Sequence, residues 1–196
     1  MERDAVTDQH ARRNRPGAPV QIFRLQPIVA AFSEYEATLA NRCFKDPRGV
    51  EVWFYDYNFP KLIQLAWKPG PDGDRLKLMA SRVIKEIRSG RFAEDQYEWD
   101  NWRLGTLFWT PDVIQDPDKI HPNAHPLVFG DTVYVRRYAK AGDPYKLAFT
   151  ARDERHKTMI VTTSFWVPGH RVRKFAKEPP LWEKQWAGLA ASPLCP

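Results

Sequence analysis

The chain has 196 residues, of which 43% are hydrophobic and 13% aromatic, which is enough for a folded core and too much for a disordered chain. Its 17 prolines argue against a plain helical bundle, because proline interrupts helices. A net charge of +6 permits anionic partners without identifying one. The two cysteines, Cys43 and Cys195, cannot build a disulfide framework or a Cys/His metal cluster, so we expect neither a metal nor a cofactor.

The first half of the chain is predicted to be mainly helical. Residues 1–18 are polar and basic, so we expect a flexible arm before a single domain at 19–178. Apolar residues at helical spacing predict three helices, at 22–40, between Asp74 and Gly90, and at 97–108. The segment 50–59 is rich in β-branched and aromatic residues and predicts a strand. A break at Thr110-Pro111 should end the third helix, and a proline-punctuated connection should follow at 112–126.

The second half of the chain changes to a period of two. Strands are predicted at 132–140, 145–151 and 158–167, and their short connections indicate an antiparallel meander. The fold class that follows is α+β, with N-terminal helices packed on a small antiparallel sheet. The tail at 179–196 contains Trp182 and Trp186 and is predicted to dock as a short helix.

Alternation divides the predicted sheet into two faces. One face is apolar and should pack on the helices, whereas the other should be open to solvent. The predicted open face collects cations, hydroxyls and rings: Tyr134, Arg136, Tyr138, Lys146, Thr162, Ser164 and Trp166. A polar solvent-facing surface needs no function, but these groups are also the ones that recognise phosphates and bases. Thr163 falls on the apolar face if its strand has no bulge.

The basic excess of the chain is concentrated around this sheet. Residues 132–177 hold eleven Lys and Arg against three acids, for a charge of +8, whereas the rest of the chain carries −2. Such an asymmetry is typical of nucleic-acid-binding surfaces. Positive surfaces also bind acidic proteins, so both kinds of partner stay open.

Motifs for other chemistries are missing from the sequence. It contains no phosphate-binding glycine loop, zinc-protease motif or nucleophile elbow. His156 lies in the turn between two predicted strands, where it could act as a general acid or base or be an ordinary surface histidine. Arg103 could point into the same cleft or pair with a nearby acid. The chain has no apolar leader and no apolar run long enough to span a membrane, so we expect a cytoplasmic protein without a membrane partner.

Several short segments together resemble a known nuclease group. A helix with Trp102 and Arg103 precedes four segments that read WTPDVIQDPDKI, VYVRRY, PYKLAFTA and MIVTTSFWV. This order resembles the phage-type branch of the barnase–EndoU–colicin–RelE-like (BECR) nuclease superfamily. The resemblance covers about Trp102 to Val167, and VWFYDYNFPKL at 52–62 is similar to an earlier part.

The resemblance implies an RNase-like domain that cleaves RNA without metal, in toxins and phage-linked proteins. The 2′-OH would attack its own phosphodiester and leave a cyclic phosphate, with tRNA or rRNA as the substrate and an immunity or antitoxin protein as a further partner. The implied catalytic residues are Arg103, Arg136, Lys146, His156, Thr163 and Ser164. The implied RNA-binding residues are Tyr134, Arg137, Tyr138, Lys157, Thr162 and Trp166.

One departure from that pattern leaves a second reading open. The predicted open face carries no histidine and no carboxylate, so a general base is not identified there; His156, Tyr138 and the region of Lys61 are the candidates for proton transfer. The alternative is a non-catalytic module that binds RNA or an acidic protein through its basic sheet face.

Overall fold

The computed structural model describes residues 27–68, 79–138 and 144–185. Within them lie the helices α1 (Ile28–Thr38), α2 (Phe59–Leu62), α3 (Ala80–Arg88), α4 (Asn101–Thr106), α5 (Thr110–Gln115), α6 (Pro126–Phe129) and α7 (Gly169–Val172). Short 3-10 turns occur at Asp56–Asn58, Glu94–Gln96 and Leu107–Trp109. The predicted arm at 1–18 and the first residues of the helix predicted from Asp74 lie outside the described residues. No helix of the described residues has the length and apolar character needed to cross a bilayer.

The strands form one large sheet and one small ladder. They are β1 (Arg42–Lys45), β2 (Glu51–Phe54), β3 (Ala66–Trp67), β4 (Tyr97–Glu98), β5 (Lys119–Pro122), β6 (Thr132–Arg137), β7 (Pro144–Asp153), β8 (Thr158–Pro168) and β9 (Trp182–Glu183). The large sheet has the order β1-β2-β8-β7-β6-β5-β9, and β3 pairs with β4. The meander of β6, β7 and β8 is antiparallel, as predicted, while β2 joins β8 in parallel. The α+β class is therefore confirmed.

Helical segments cover the centre of the sheet on both sides. On one side, α5 contributes Val113 and Ile114 to the large core that also contains Tyr134 and Ala148. On the other side, Phe129 of α6 packs with residues 172–176 against a second cluster of strand residues, Val133, Val135, Leu147, Phe149, Phe165 and Val167. Both faces of the sheet are therefore covered by helices: α5 packs on one face, and α6 and α7 pack on the other.

The prediction that the Lys146 face is open to solvent is wrong. Five of its members are buried: Tyr134, Lys146, Thr162, Ser164 and Trp166. Arg136 and Tyr138 are half-buried. The physical reason is that this face carries three large rings as well as polar groups, so α4 and α5 gain apolar contacts by covering it.

Three predicted elements also differ from the structure. Pro111 lies in the first turn of α5 rather than ending a helix, which suits proline because the first helical turn needs no N–H donor from it. The strand predicted at 50–59 ends at Phe54 and is followed by a 3-10 turn and α2. Trp182–Glu183 forms a strand instead of helix, and residues 186–196 of the predicted tail lie outside the described part.

A bulge in β8 rearranges its faces. Phe149 opposes Thr163 and Thr150 opposes Val161, so Thr162 is the extra residue. Thr163 therefore stays on the apolar side with Phe149, whereas Val161 moves into the core on the α5 side. The sequence pattern does not contain this switch, because an extra residue leaves no signature in simple alternation.

Candidate nucleic-acid interface

Three rings form a partly exposed row at the β2 end of the sheet. Trp53, Tyr55 and Tyr57 alternate along β2 and the turn that follows it. The ring centroids of Trp53 and Tyr55 are 5.9 Å apart at an interplanar angle of 9°, and those of Tyr55 and Tyr57 are 5.2 Å apart at 13°. All three side chains are half-buried. We refer to Trp53, Tyr55 and Tyr57 as the aromatic row.

Hydrogen bonds to neighbouring elements hold the aromatic row in place. The backbone N–H of Tyr55 donates to Asn58 Oδ1 at 3.0 Å, and Tyr35 Oη of α1 donates to the Tyr55 carbonyl at 2.9 Å. The Tyr55 hydroxyl lies 3.3 Å from Thr158 Oγ1 on β8. The row is therefore tied to the core helix and to the sheet, and its rings are presented on a rigid support.

The imidazole of His156 lies against this row. Its ring centroid is 5.0 Å from that of Tyr55 and 6.4 Å from that of Tyr57. Nδ1 of His156 is 2.6 Å from Asp153 Oδ2, and Tyr57 Oη donates to the same oxygen at 2.9 Å. The other carboxylate oxygen accepts the backbone N–H of Arg155 at 3.0 Å. The turn between β7 and β8 thus places an Asp–His pair beside stacked rings.

The charge state of Asp153 determines which nitrogen of His156 is available. Its hydrogen bond to His156, together with those from Tyr57 and Arg155, lowers the pKa of Asp153 to about 2. The group is therefore a carboxylate at neutral pH and accepts hydrogen bonds only. In the neutral imidazole, Nδ1 of His156 must then carry the proton, and Nε2 holds the free lone pair. The His156 side chain is 41% exposed and that of Asp153 16%, so the base is accessible while its orienting partner is largely covered.

The residues predicted to contact a phosphate do converge, but beneath the helices. Arg103 Nη1 of α4 donates to Thr163 Oγ1 at 2.6 Å, and Thr110 Oγ1 of α5 donates to Ser164 Oγ at 3.1 Å. Arg103 also lies close enough to Lys146 to act on its charge. These residues therefore form a covered cluster on both sides of β8: Thr163 lies on the face of Phe149, and Ser164 lies on the face of Lys146.

Lys146 is fully buried within this cluster. Its Nζ lies 5.5 Å from the centre of the Trp166 ring and has no hydrogen-bond partner among the described residues. Burial, together with the positive charge of Arg103, lowers the pKa of Lys146 well below its ordinary value. The site thus disfavours the charged ammonium that binding of an RNA phosphate would require.

Two further predicted residues are engaged by acidic partners. Arg136 Nη1 donates to the Asp112 carbonyl at 2.8 Å, and its other nitrogen lies 3.3 Å from Asp116 Oδ2. The hydroxyl of Tyr134 donates to Asp46 Oδ2 at 2.9 Å in the core. Both contacts link the sheet to neighbouring elements, so these side chains have structural partners.

The remaining predicted residues divide into a covered and an exposed group. Tyr138 and Trp166 pack around Trp109, and Thr162 Oγ1 donates to the carbonyls of Phe129 and Phe149. Arg137 and Lys157 are exposed. Along β7, the seven residue steps from Lys146 to Asp153 span about 23 Å at the usual rise of a strand, and this distance separates the Lys146 cluster from His156.

Sequence reasoning missed four residues of this interface. The aromatic row was visible as rings at every second position from 53 to 57, but the segment was interpreted as an ordinary strand. Asp153 precedes His156 by three residues in the predicted turn, and that spacing was the available signal. Neither signal could show that the rings and the turn meet, because β2 and β8 pair across about one hundred residues of chain.

Comparisons with known proteins add no further assignment. Neither protein-family models nor curated proteins nor solved structures gave a match. In the part of the chain that the structure describes, no group of three or more His, Cys, Asp or Glu side chains could hold a metal ion. The nuclease resemblance stays a prediction, and the chemistry of the interface is the basis for a function.

Proposed function

We propose that the chain is an endoribonuclease that cleaves single-stranded RNA without metal, at the aromatic row. The observation that carries this proposal is the Asp153–His156 pair, whose accessible imidazole has its tautomer fixed and lies against stacked rings. An accessible histidine of this kind is the commonest general base in proteins. In this proposal the sheet and its helices form an RNase-like domain.

The rings account for recognition of a single strand. Stacking of a base on an aromatic side chain contributes about 1–3 kcal/mol and tolerates any base, whereas bases inside a duplex have no free faces. Arg155 and Lys157 flank His156 in the same turn and are exposed, so they are available to neutralise phosphates. In this proposal, Arg155 and Lys157 neutralise the phosphates, a role that the sequence analysis gave to Lys146 and Arg136.

The reaction needs a proton acceptor and stabilisation of a phosphorane. Nε2 of His156 takes the proton of the 2′-OH while the 2′-oxygen forms a bond to the adjacent phosphorus. Arg155 and Lys157 balance the charge of the pentavalent phosphorus. The bond from phosphorus to the 5′-oxygen breaks, that oxygen takes a proton from solvent, and the imidazolium returns its proton to solvent. The products are a 2′,3′-cyclic phosphate and a 5′-hydroxyl.

A paired histidine substitution tests this proposal. We expect His156→Ala to lower the cleavage rate at least about 100-fold, the usual contribution of a general base, and to leave the Kd for RNA within about twofold. His170→Ala is the matched control, because His170 is exposed on α7 away from the row. A His156→Ala protein that cleaves at the wild-type rate would overturn the assignment.

The same assay separates the proposed enzyme from the non-catalytic module. If wild-type protein leaves tRNA and rRNA intact but binds them with an affinity that falls steeply with salt, the binding module is correct and the nuclease is not. Binding of an acidic immunity or antitoxin protein is measured by adding that protein to the cleavage assay.

A further inference from the structure

A cavity of about 500 Å³ adjoins the aromatic row. Its walls come from the 3-10 turn at Asp56–Asn58 and from α3, and Tyr57 lines it as well as ending the row. Ser81, Lys85 and Arg88 share one face of α3 at helical spacing. The volume lies in the range of pockets that bind small organic ligands.

The charges in the wall of this cavity are largely balanced. The guanidinium of Arg88 lies 2.5 Å from Glu36 Oε1 and 2.8 Å from Asp56 Oδ2. The other Asp56 oxygen accepts the backbone N–H of Tyr57 at 2.7 Å. A cavity whose wall charges are neutralised does not select an inorganic anion. The Tyr57 ring and the buried Ile84 in its wall instead fit an uncharged, flat group with polar edges.

One cation at the cavity, Lys85, has no ion-pair partner among the described residues. Its side chain is exposed. A nucleotide whose base entered the cavity would carry its phosphate at the mouth, where an ammonium group attracts it. The combination of a flat apolar site and one cation matches a nucleotide better than a free phosphate.

We infer that this cavity binds one unpaired base of the RNA strand, next to the bases stacked on the aromatic row, with Lys85 at its phosphate. The inference rests on the proposed function and names the substrate class more closely: a strand with at least one base free to leave its stack. Tyr57 connects the two parts, since it lies within the cavity wall and beside His156. The base in the cavity therefore fixes where the strand crosses His156.

Nucleoside monophosphates test the cavity directly. The four ribonucleoside 5′-monophosphates and ribose 5-phosphate are titrated into the whole chain while amide shifts of residues 80–89 are followed. At least one nucleotide should bind, and ribose 5-phosphate should bind at least about tenfold more weakly because it has no base to stack. Ser81→Trp fills the cavity from its exposed rim and should weaken nucleotide binding at least about tenfold. Ser33→Trp, on the exposed surface of α1, is the matched control.

The outcomes distinguish the cavity from the nuclease. If RNA is cleaved while no nucleotide shifts the residues of α3, or while a folded Ser81→Trp protein binds nucleotides normally, the cavity inference is wrong and the nuclease remains. If nucleotides bind as expected but RNA stays intact, the cavity inference holds as a nucleotide site and the proposed cleavage is wrong. Equal binding of ribose 5-phosphate and nucleotides would also overturn the inference.

Discussion

At the scale of single residues, Lys146 is where burial and charge conflict most strongly. An ammonium removed from water without an acceptor is costly, so the folded protein favours the neutral amine. The unfolded chain has no such constraint and holds the proton up to the ordinary lysine pKa of about 10.4. The unfolded state therefore binds more protons between the lowered pKa of Lys146 in the folded protein and its ordinary pKa, and over that range the free energy of unfolding rises with pH.

Replacing Lys146 with methionine should stabilise the fold. Lys146→Met keeps the length of the side chain and removes the group that must be desolvated or deprotonated. We expect its free energy of unfolding to exceed that of the wild type at pH 6, with a difference that narrows toward pH 10. Urea denaturation at several pH values measures the free energy of unfolding of each protein and how their difference changes with pH. Lys61→Met, at an exposed lysine of α2, is the control. A Lys146→Met protein less stable than the wild type at pH 6 would contradict the lowered pKa of Lys146.

Asp153 is a positioning residue for His156. Asp153→Asn offers an amide that can donate to Nδ1 and hold the wrong tautomer, so kcat should fall by roughly 100-fold or more while KM changes little. Tyr57→Phe removes one hydrogen bond to the same carboxylate and should lower kcat by less than about tenfold. Steady-state cleavage of a short labelled RNA gives both constants, and an unchanged kcat in Asp153→Asn would show that His156 needs no orientation.

At the scale of elements, the strands were easier to predict than their surroundings. Alternation identified β6, β7 and β8, because period-two patterning is local. It could not show that the Lys146 face is covered as well, since that cover comes from α4 and α5. The predicted connection at 112–126 contains most of α5 and all of β5, and its prolines were interpreted as interruptions although one begins a helix.

The junction between α6 and β6 depends on a glycine. Gly130 has φ +107°, and a Cβ there would lie 2.6 Å from the carbonyl oxygen of Thr150. Gly130→Ala should therefore lower the free energy of unfolding by about 2 kcal/mol or more, because both backbone strain and a clash are introduced. Gly49→Ala is the control: its φ is +84° and nothing lies within 4 Å, so only the backbone cost of about 1 kcal/mol applies. Thermal denaturation measures both variants. If Gly130→Ala and Gly49→Ala lower the free energy of unfolding equally, close packing of α6 on β7 is unimportant.

At the scale of the whole molecule, the sequence predicted the class of fold better than the surface that we propose as the site. Composition and alternation were sufficient for α+β and for the meander. The charge asymmetry of residues 132–177 includes the turn that we propose as the site, but its buried and paired members, Lys146 and Arg136, are not presented to a ligand. The interface arises where β2 pairs with β8, a long-range contact that no local pattern encodes.

The most direct measurement of the central claim is the chemistry of the RNA ends. Purified protein is incubated with single-stranded RNA in EDTA, and the fragments are analysed for their termini, with His156→Ala protein alongside. The account predicts fragments that end in a 2′,3′-cyclic phosphate and a 5′-hydroxyl with wild-type protein, and a rate at least about 100-fold lower with the variant. RNA that stays intact, or fragments that form equally fast with His156→Ala, would contradict it.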